Sequence, residues 1–158
     1  MDTSVTIIGL IITVLISIPL FFVFRSNVLN KNKIKAIKQQ YSQNNHFNFE
    51  LTETQNKKVV ALDPKNKGFL LIDFNTAKES IYFVNLIEVH SCKLVPTTEI
   101  NSDKILKIEF EFEYKETKKR ENILFYTIEN EIVDQVCLYE DHQLAKKWMK
   151  IIQNCISV

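Results

Sequence analysis

The stretch KILKIEFEFEY, residues Lys104–Tyr114, alternates apolar and charged side chains with a period of two. Isoleucine, phenylalanine and tyrosine occupy one set of positions, and lysine and glutamate occupy the other. Successive side chains of a β-strand point to opposite faces, so this pattern predicts a strand with one buried face and one wet face. A strand of that kind is typical of an antiparallel sheet that packs on a core from one side.

Further strands are predicted on both sides of this stretch. They are residues 46–52 (HFNFELT), 58–63 (KVVALD), 69–74 (FLLIDF), 80–86 (SIYFVNL), 87–95 (IEVHSCKLV) and 121–128 (ENILFYTI). Residues 64–68, PKNKG, have Pro early and Gly late, which predicts a turn and a hairpin. The segments 80–86 and 87–95 are either two strands or one long bent strand.

The last part of the chain changes to a helical period. In Asp141–Ile156, DHQLAKKWMKIIQNCI, the residues Leu144, Trp148 and Ile151 fall on one apolar stripe. Acidic residues at the start and lysines later suit the helix dipole. Residues 130–139 fit a loop, a short strand or an early helical turn equally well.

A different pattern occupies the N-terminus. Residues Val5–Phe24 contain no charged side chain over 20 positions. At about 1.5 Å per residue, a helix of this length reaches across the roughly 30 Å hydrocarbon core of a bilayer, which predicts a transmembrane helix. A cleaved signal peptide would need a basic start and a small-residue cleavage site, and the sequence has neither.

Charges flank this run on one side only. Asp2 precedes it, and no acidic residue follows it before Glu50. The basic residues after it are Arg25, Lys31, Lys33, Lys35 and Lys38. Because positive flanks remain in the cytoplasm, we expect a single-pass protein of the inner (plasma) membrane, with residues 1–4 outside. A basic helical stalk over 25–45 and a cytoplasmic domain over 46–158 would follow, and the five basic residues act either as the topology signal or as contacts with membrane lipids.

Seven strands followed by one amphipathic helix with a central Trp resemble a pleckstrin-homology-like domain. The helix carries Leu144-Ala145-x-x-Trp148-x-x-Ile151, and the resemblance covers residues 47–156. It implies an α+β fold in which a small antiparallel β-barrel of about seven strands is closed by the C-terminal helix, 141–156. It also implies a binding or scaffold module. Members that bind phosphoinositides use a Lys and an R-x-R element in the first loop; this loop has Lys57 and Lys58 but no R-x-R.

Basic residues at two turns are the candidate contacts for an anion or a partner protein. They are Lys57, Lys58, Lys118, Lys119 and Arg120. Residues 46–158 nevertheless hold 15 basic and 18 acidic residues, a net charge of −3 with His neutral. Ordinary solvated turns are therefore the alternative interpretation, and a nucleic-acid partner is not expected.

Catalytic, cofactor and metal sites are not predicted. His90 and Cys92 alternate onto one predicted strand face, but nothing nearby orients the histidine, which favours a buried structural thiol. The histidines lie far apart without metal-ligand spacing, and two glycines are too few for a phosphate-binding loop.

The sequence as a whole predicts a non-enzymatic membrane protein that presents a binding or scaffold module at the membrane surface. Membrane lipids and one protein of unknown identity are the expected partners. The alternative is an accessory subunit of a membrane transport or envelope assembly complex, anchored by packing of its N-terminal helix against other helices.

Overall fold

The computed structural model describes residues 12–13, 15–17, 30–42, 44, 46–75, 79–99, 104–128 and 131–157. The chain divides into two compact units, Met1–Gln40 and Tyr41–Val158. Residues 12–13, 15–17 and 30–41 are helical, and we name the last of these segments α1. Most of the predicted transmembrane run, 5–24, and the predicted outer residues 1–4 lie outside the described residues. None of the helices in the described part of the chain combines the length and the apolar character needed to span a membrane.

Residues 46–158 have an α+β fold with two antiparallel sheets. The elements are β1 (Leu51–Gln55), β2 (Lys58–Asp63), β3 (Gly68–Asp73), β4 (Ser80–Asn85), β5 (Val89–Thr98), β6 (Ile105–Tyr114), β7 (Arg120–Thr127) and α2 (Glu131–Ser157). The four-stranded sheet has the order β1-β2-β3-β4, and the three-stranded sheet has the order β5-β6-β7. The predicted hairpin is β2 with β3, and the segments 80–86 and 87–95 form two separate strands.

The predicted closed β-barrel is wrong. The strands belong to two separate sheets, and among the described residues β4 does not pair with β5, nor β1 with β7. Helix α2 makes a hydrogen bond to an edge strand of each sheet. Trp148 Nε1 donates to the Glu53 carboxylate of β1 (2.9 Å), and Gln153 Nε2 donates to the Cys92 carbonyl of β5 (2.9 Å). The helix is therefore hydrogen-bonded to both sheets, through β1 of the first and β5 of the second.

One hydrophobic core joins the two sheets and α2. Its largest fully buried side chains include Phe69 of the four-stranded sheet, Phe110 of the three-stranded sheet and Trp148 of α2. The Phe110 ring lies 6.0 Å from the Phe69 ring and 5.3 Å from the Phe125 ring, centroid to centroid. Each such side chain contributes about 1.5–3 kcal/mol by leaving water, so this core accounts for the packing of all three layers.

Strand β6 has the two faces that its sequence predicts. Ile108, Phe110 and Phe112 are fully buried in the core. Glu109 and Glu111, between them, remain partly exposed, and the Lys107 ammonium lies 2.8 Å from the Glu109 carboxylate. The apolar side chains of β6 therefore lie in the core and the charged side chains between them lie on the other face, as the sequence predicts.

Two element boundaries differ most from the sequence prediction. Residues 46–50 are not part of a strand, although Phe47 and Phe49 are buried. The Phe47 N–H donates to the Ser42 carbonyl and the Asn48 N–H to the Asp63 carboxylate, so these amides are not available for a ladder. Helix α2 begins at Glu131, well before the predicted start at 141. Residues 131–139, whose structure the sequence left open, are therefore helical.

The four-stranded sheet is also buried on its second face, the face that points away from the shared core. Side chains there are fully buried: Val59, Ala61, Leu70 and Ile72. Leu70 pairs with Phe83, whose ring lies 5.0 Å from that of Phe47 and 6.5 Å from that of Phe49. A Cβ placed on Gly68 would lie 2.5 Å from Cδ1 of Phe47, so Gly68 permits this close cover.

Candidate functional site

Helix α1 carries four of the five basic residues that the sequence predicts as membrane contacts. Lys31, Lys33 and Lys35 are exposed, and Lys38 is partly buried. Burial lowers the pKa of the Lys38 ammonium. Arg25 lies outside the described residues. Because Lys31 and Lys35 are four positions apart, they share one face of the helix and present two ammonium groups to solvent.

Apolar side chains are exposed on the helical residues that precede α1. The exposed fractions are 51% for Ile12, 64% for Leu15 and 56% for Ile16. The spacing of three and four positions places them on one face of a helix. Leaving apolar surface in water costs about 25 cal/mol per Å², so this face favours an apolar surrounding.

The two predicted lysines of the β1–β2 loop differ in their exposure to solvent. Lys57 is exposed, whereas Lys58 is buried. The Lys58 ammonium lies 2.8 Å from Oδ2 of Asp141 and 5.3 Å from the centre of the Tyr126 ring. Asn56 Nδ2 donates to the other Asp141 oxygen at 2.9 Å. Lys58 therefore joins β2 to α2, and it is not part of a surface.

Three turns lie together at one end of the two sheets. The Leu86 N–H donates to the Lys67 carbonyl (2.8 Å), which joins turn 64–67 to turn 86–88. The Lys115 N–H donates to the Glu88 carbonyl (2.8 Å), which adds the turn after β6. We name residues 64–67, 86–88 and 115–120 the turn end.

The turn end concentrates basic side chains. They are Lys65, Lys67, Lys115, Lys118, Lys119 and Arg120, against the acidic Glu88 and Glu116, which gives a net charge of +4. Lys65, Lys118 and Lys119 make no salt bridge with any residue that the structure describes. Arg120 has a distant carboxylate neighbour, Glu111, at 3.8 Å.

An apolar side chain accompanies these cations. Ile87 is 51% exposed, and its carbonyl accepts a hydrogen bond from the Lys115 ammonium at 2.6 Å. Ile87 is the large apolar side chain that the turn end exposes to solvent, on the same hydrogen-bonded set of turns as the basic residues.

The predicted set of basic contacts is therefore divided between two places. Lys118, Lys119 and Arg120 belong to the turn end, whereas Lys57 lies at the opposite end of β2, about 20 Å away for six residues at about 3.3 Å each. Lys65 and Lys67 belong to the turn end as well. The order of the strands predicts this grouping, because successive turns between antiparallel strands alternate between the two ends of a sheet. The second, fourth and sixth turns therefore lie at the same end.

A buried carboxylate fixes turn 64–67. Asp63 accepts the N–H groups of Lys65 (2.9 Å), Asn66 (3.0 Å) and Asn48 (2.6 Å), together with Asn66 Nδ2 (2.8 Å). Burial by itself would raise the pKa of Asp63, but these hydrogen bonds lower the pKa below its ordinary value. The turn that carries Lys65 and Lys67 is therefore held in one conformation.

His90 and Cys92 do not share a strand face. A β-bulge between Val89 and Ser91 leaves His90 exposed and Cys92 buried. Burial raises the pKa of the Cys92 thiol to about 12, which disfavours the thiolate that a nucleophile requires. Within the described ranges, no three His, Cys, Asp or Glu side chains are grouped closely enough to hold a metal ion.

Comparison with known proteins adds no relative. No protein-family model, curated protein or solved structure matches this chain. The resemblance to pleckstrin-homology-like domains stays a prediction from the sequence.

Proposed function

We propose that this chain is a non-enzymatic binding module that its apolar N-terminal sequence holds at a membrane surface. The observation that carries the proposal is the exposure of Ile12, Leu15 and Ile16, each more than half open on one helical face. Three large aliphatic residues on one face favour lipid over water. The uncharged run 5–24 that contains them extends the same preference.

The basic residues of α1 support the same proposal. Lys31, Lys33 and Lys35 follow the apolar run and are exposed. Lysines near an anionic leaflet each gain about 1 kcal/mol, so α1 suits the headgroup layer. Because the excess of basic residues follows the run and none precedes it, we assign residues 46–158 to the cytoplasmic side.

The β domain supplies the binding part of the proposal. Its Cys92 thiol is buried, and the exposed His90 is separated from it by a β-bulge, so the two do not form a nucleophile and base. The turns between the strands are the surfaces that it offers to a partner. A scaffold of this kind acts by where it is held and by which protein it binds.

Flotation of the full-length chain with liposomes tests the attachment. We expect the wild type to float in high salt, and Ile12→Asn with Leu15→Asn and Ile16→Asn to remain at the bottom, since the apolar face is lost. Thr13→Asn with Ser17→Asn is the matched control on the same helical segment and should float. Equal flotation of the two variants, or no flotation of the wild type, would refute membrane attachment.

A helix exchange separates the tether from the alternative, an accessory subunit anchored by helix packing. Residues 5–24 are replaced by an unrelated apolar sequence of equal length, and the proteins cross-linked to the chain in its native membrane are compared. A tether keeps the same partners because the β domain selects them. Loss of the partners would favour helix packing.

A further inference from the structure

We propose that the turn end is a second membrane contact, in which its cations bind anionic lipid headgroups around Ile87. This inference rests on the proposed function, because it assumes that the N-terminal sequence already brings the domain to a bilayer. It adds the chemistry that the domain recognises and the way it faces the bilayer.

Charge is strongly separated within the domain. The turn end carries +4, whereas residues 46–158 together carry −3, so the remainder of the domain carries −7. An anionic surface attracts the first region and repels the second. A tethered domain with this distribution turns its basic end toward the bilayer.

The fixed geometry of the turns favours a surface contact. Backbone hydrogen bonds join Lys67 to Leu86 and Glu88 to Lys115, and Asp63 holds turn 64–67 from below. The cations are therefore presented together without a separate ordering step. Lys118 has a left-handed backbone conformation (φ 55°) in the turn after β6, and its side chain is exposed.

Ile87 favours a lipid surface over other anionic partners. An aliphatic side chain that is half exposed among basic residues can enter the boundary between headgroups and acyl chains while the ammonium groups remain at the phosphates. A nucleic acid would instead be met by a basic stripe with aromatic side chains for the bases, and the turn end contains no aromatic residue.

Tryptophan quenching in reconstituted bilayers tests the contact. The full-length chain carrying Ile87→Trp is placed in phosphatidylcholine bilayers that contain phosphatidylglycerol, with bromine atoms on the upper acyl chains as quencher. Tyr139→Trp is the matched control, since Tyr139 is 72% exposed and lies beside Gln55. Gln55 is the last residue of β1, at the end of the sheet opposite the turn end. The native Trp148 is buried and contributes a constant background.

We expect quenching of the Ile87→Trp protein and none of the Tyr139→Trp protein beyond the background. Omission of phosphatidylglycerol, or the added pair Lys118→Glu and Lys119→Glu, should remove the quenching, because the pair changes the net charge of the turn end from +4 to zero and neither lysine makes a salt bridge with a described residue. Both lysines are exposed, and unchanged circular dichroism confirms that the charge variant is folded.

The outcomes separate this inference from the proposed function. If the proteins float with the liposomes but the Ile87→Trp protein is quenched no more than the control, the turn end does not contact lipid and the attachment stands. If the proteins do not float, the attachment fails and this inference fails with it. If soluble polyglutamate abolishes the quenching while flotation persists, the surface prefers an acidic protein and the lipid assignment is overturned.

Discussion

The two sheets of the β domain differ in how many of their faces are buried. In the four-stranded sheet, Val60 and Leu71 enter the shared core while Val59 and Leu70, on the second face, are also fully buried. In the three-stranded sheet, the face opposite the core carries Glu111 and other partly exposed charges. The first sheet is an internal layer of the domain, and the second is an outer wall.

The sheets also differ in how α2 is attached to them. On the four-stranded sheet, the attachment is polar and includes the buried pair Lys58–Asp141 and the partly exposed set of Glu53, Lys147 and Trp148. On the three-stranded sheet, the polar attachment is the hydrogen bond from Gln153 Nε2 to the Cys92 carbonyl. Both sheets share the apolar core with α2, and the internal layer adds a buried ion pair to that hydrophobic contact.

Removal of the carboxylate from the buried ion pair should cause the largest loss in the free energy of unfolding. Asp141→Ala leaves the Lys58 ammonium buried without its carboxylate, and we expect a loss of about 3–5 kcal/mol in the free energy of unfolding. The measurement is urea unfolding followed by Trp148 fluorescence. Lys147→Ala is the matched control, because that ammonium is 58% exposed, and it should lose no more than about 1 kcal/mol.

A second variant tests whether charge or shape is responsible. Lys58→Met combined with Asp141→Leu replaces the pair by apolar groups and should recover most of the stability, since no charge is then buried. Equal losses in Asp141→Ala and Lys147→Ala would contradict the assigned difference between the two polar bonds.

Leucine-to-alanine substitutions on the faces away from the core test how deeply each sheet is buried there. Leu70→Ala in the four-stranded sheet should cost about 2–5 kcal/mol, because it opens a cavity at a fully buried site. Leu124, which pairs with Glu109 on the outer face of the three-stranded sheet, is only partly buried, so Leu124→Ala should cost much less. Chemical denaturation of both variants checks the difference, and similar losses would show that the two outward faces are equally buried.

Periodicity predicts the outer wall better than the internal layer. The alternation in KILKIEFEFEY identifies both the strand and its wet face. The runs VVAL and FLLI also predict strands, but a period of two cannot show what covers the second face, because that depends on residues distant in sequence. Phe47 and Phe49 illustrate the point, since they alternate as in a strand and instead pack against that face from an irregular segment.

The candidate site was predictable to a similar degree. Composition identifies the basic turn 118–120, and its surface position follows from its turn residues. Lys57 and Lys58 could not be told apart, because the carboxylate that buries Lys58 lies 83 positions away in a helix. The closed barrel was a wrong expectation for a related reason, since pairing between the ends of the two sheets depends on strands that are far apart in sequence, such as β1 and β7.

The cover of the second face can be tested at Gly68. Gly68→Ala forces a Cβ to 2.5 Å from the Phe47 ring, and we expect a loss of about 1–3 kcal/mol from overpacking. In a Phe47→Leu background the same substitution should cost less, because the smaller side chain can move aside. A double-mutant cycle measures the coupling, and additive losses would mean that Phe47 does not press on this position.

Acid sensitivity should belong to the four-stranded sheet. The pKa of Asp63 is lowered in the folded state, so its contribution to stability is present above the unfolded value of about 3.9 and is lost as the pH falls below it. Asp63→Asn should lose about 1–2 kcal/mol at neutral pH, because charged hydrogen bonds are the stronger ones, and should flatten the decline between about pH 5 and pH 3. Urea unfolding across this range is the measurement, and an unchanged slope in Asp63→Asn would contradict the assignment.

Alkaline sensitivity should belong to the three-stranded sheet and has no effect on stability at neutral pH. Because the pKa of Cys92 is raised to about 12, the folded state holds its proton while the unfolded thiol loses it near 9, and stability falls as the pH rises above that value. The slope is at most about 1.4 kcal/mol per pH unit for one proton. Cys92→Val removes the thiol, keeps the site apolar and should flatten the decline between about pH 9 and pH 11. If the variant declines like the wild type, the alkaline loss comes from other groups, and the two sheets do not divide the pH response between them.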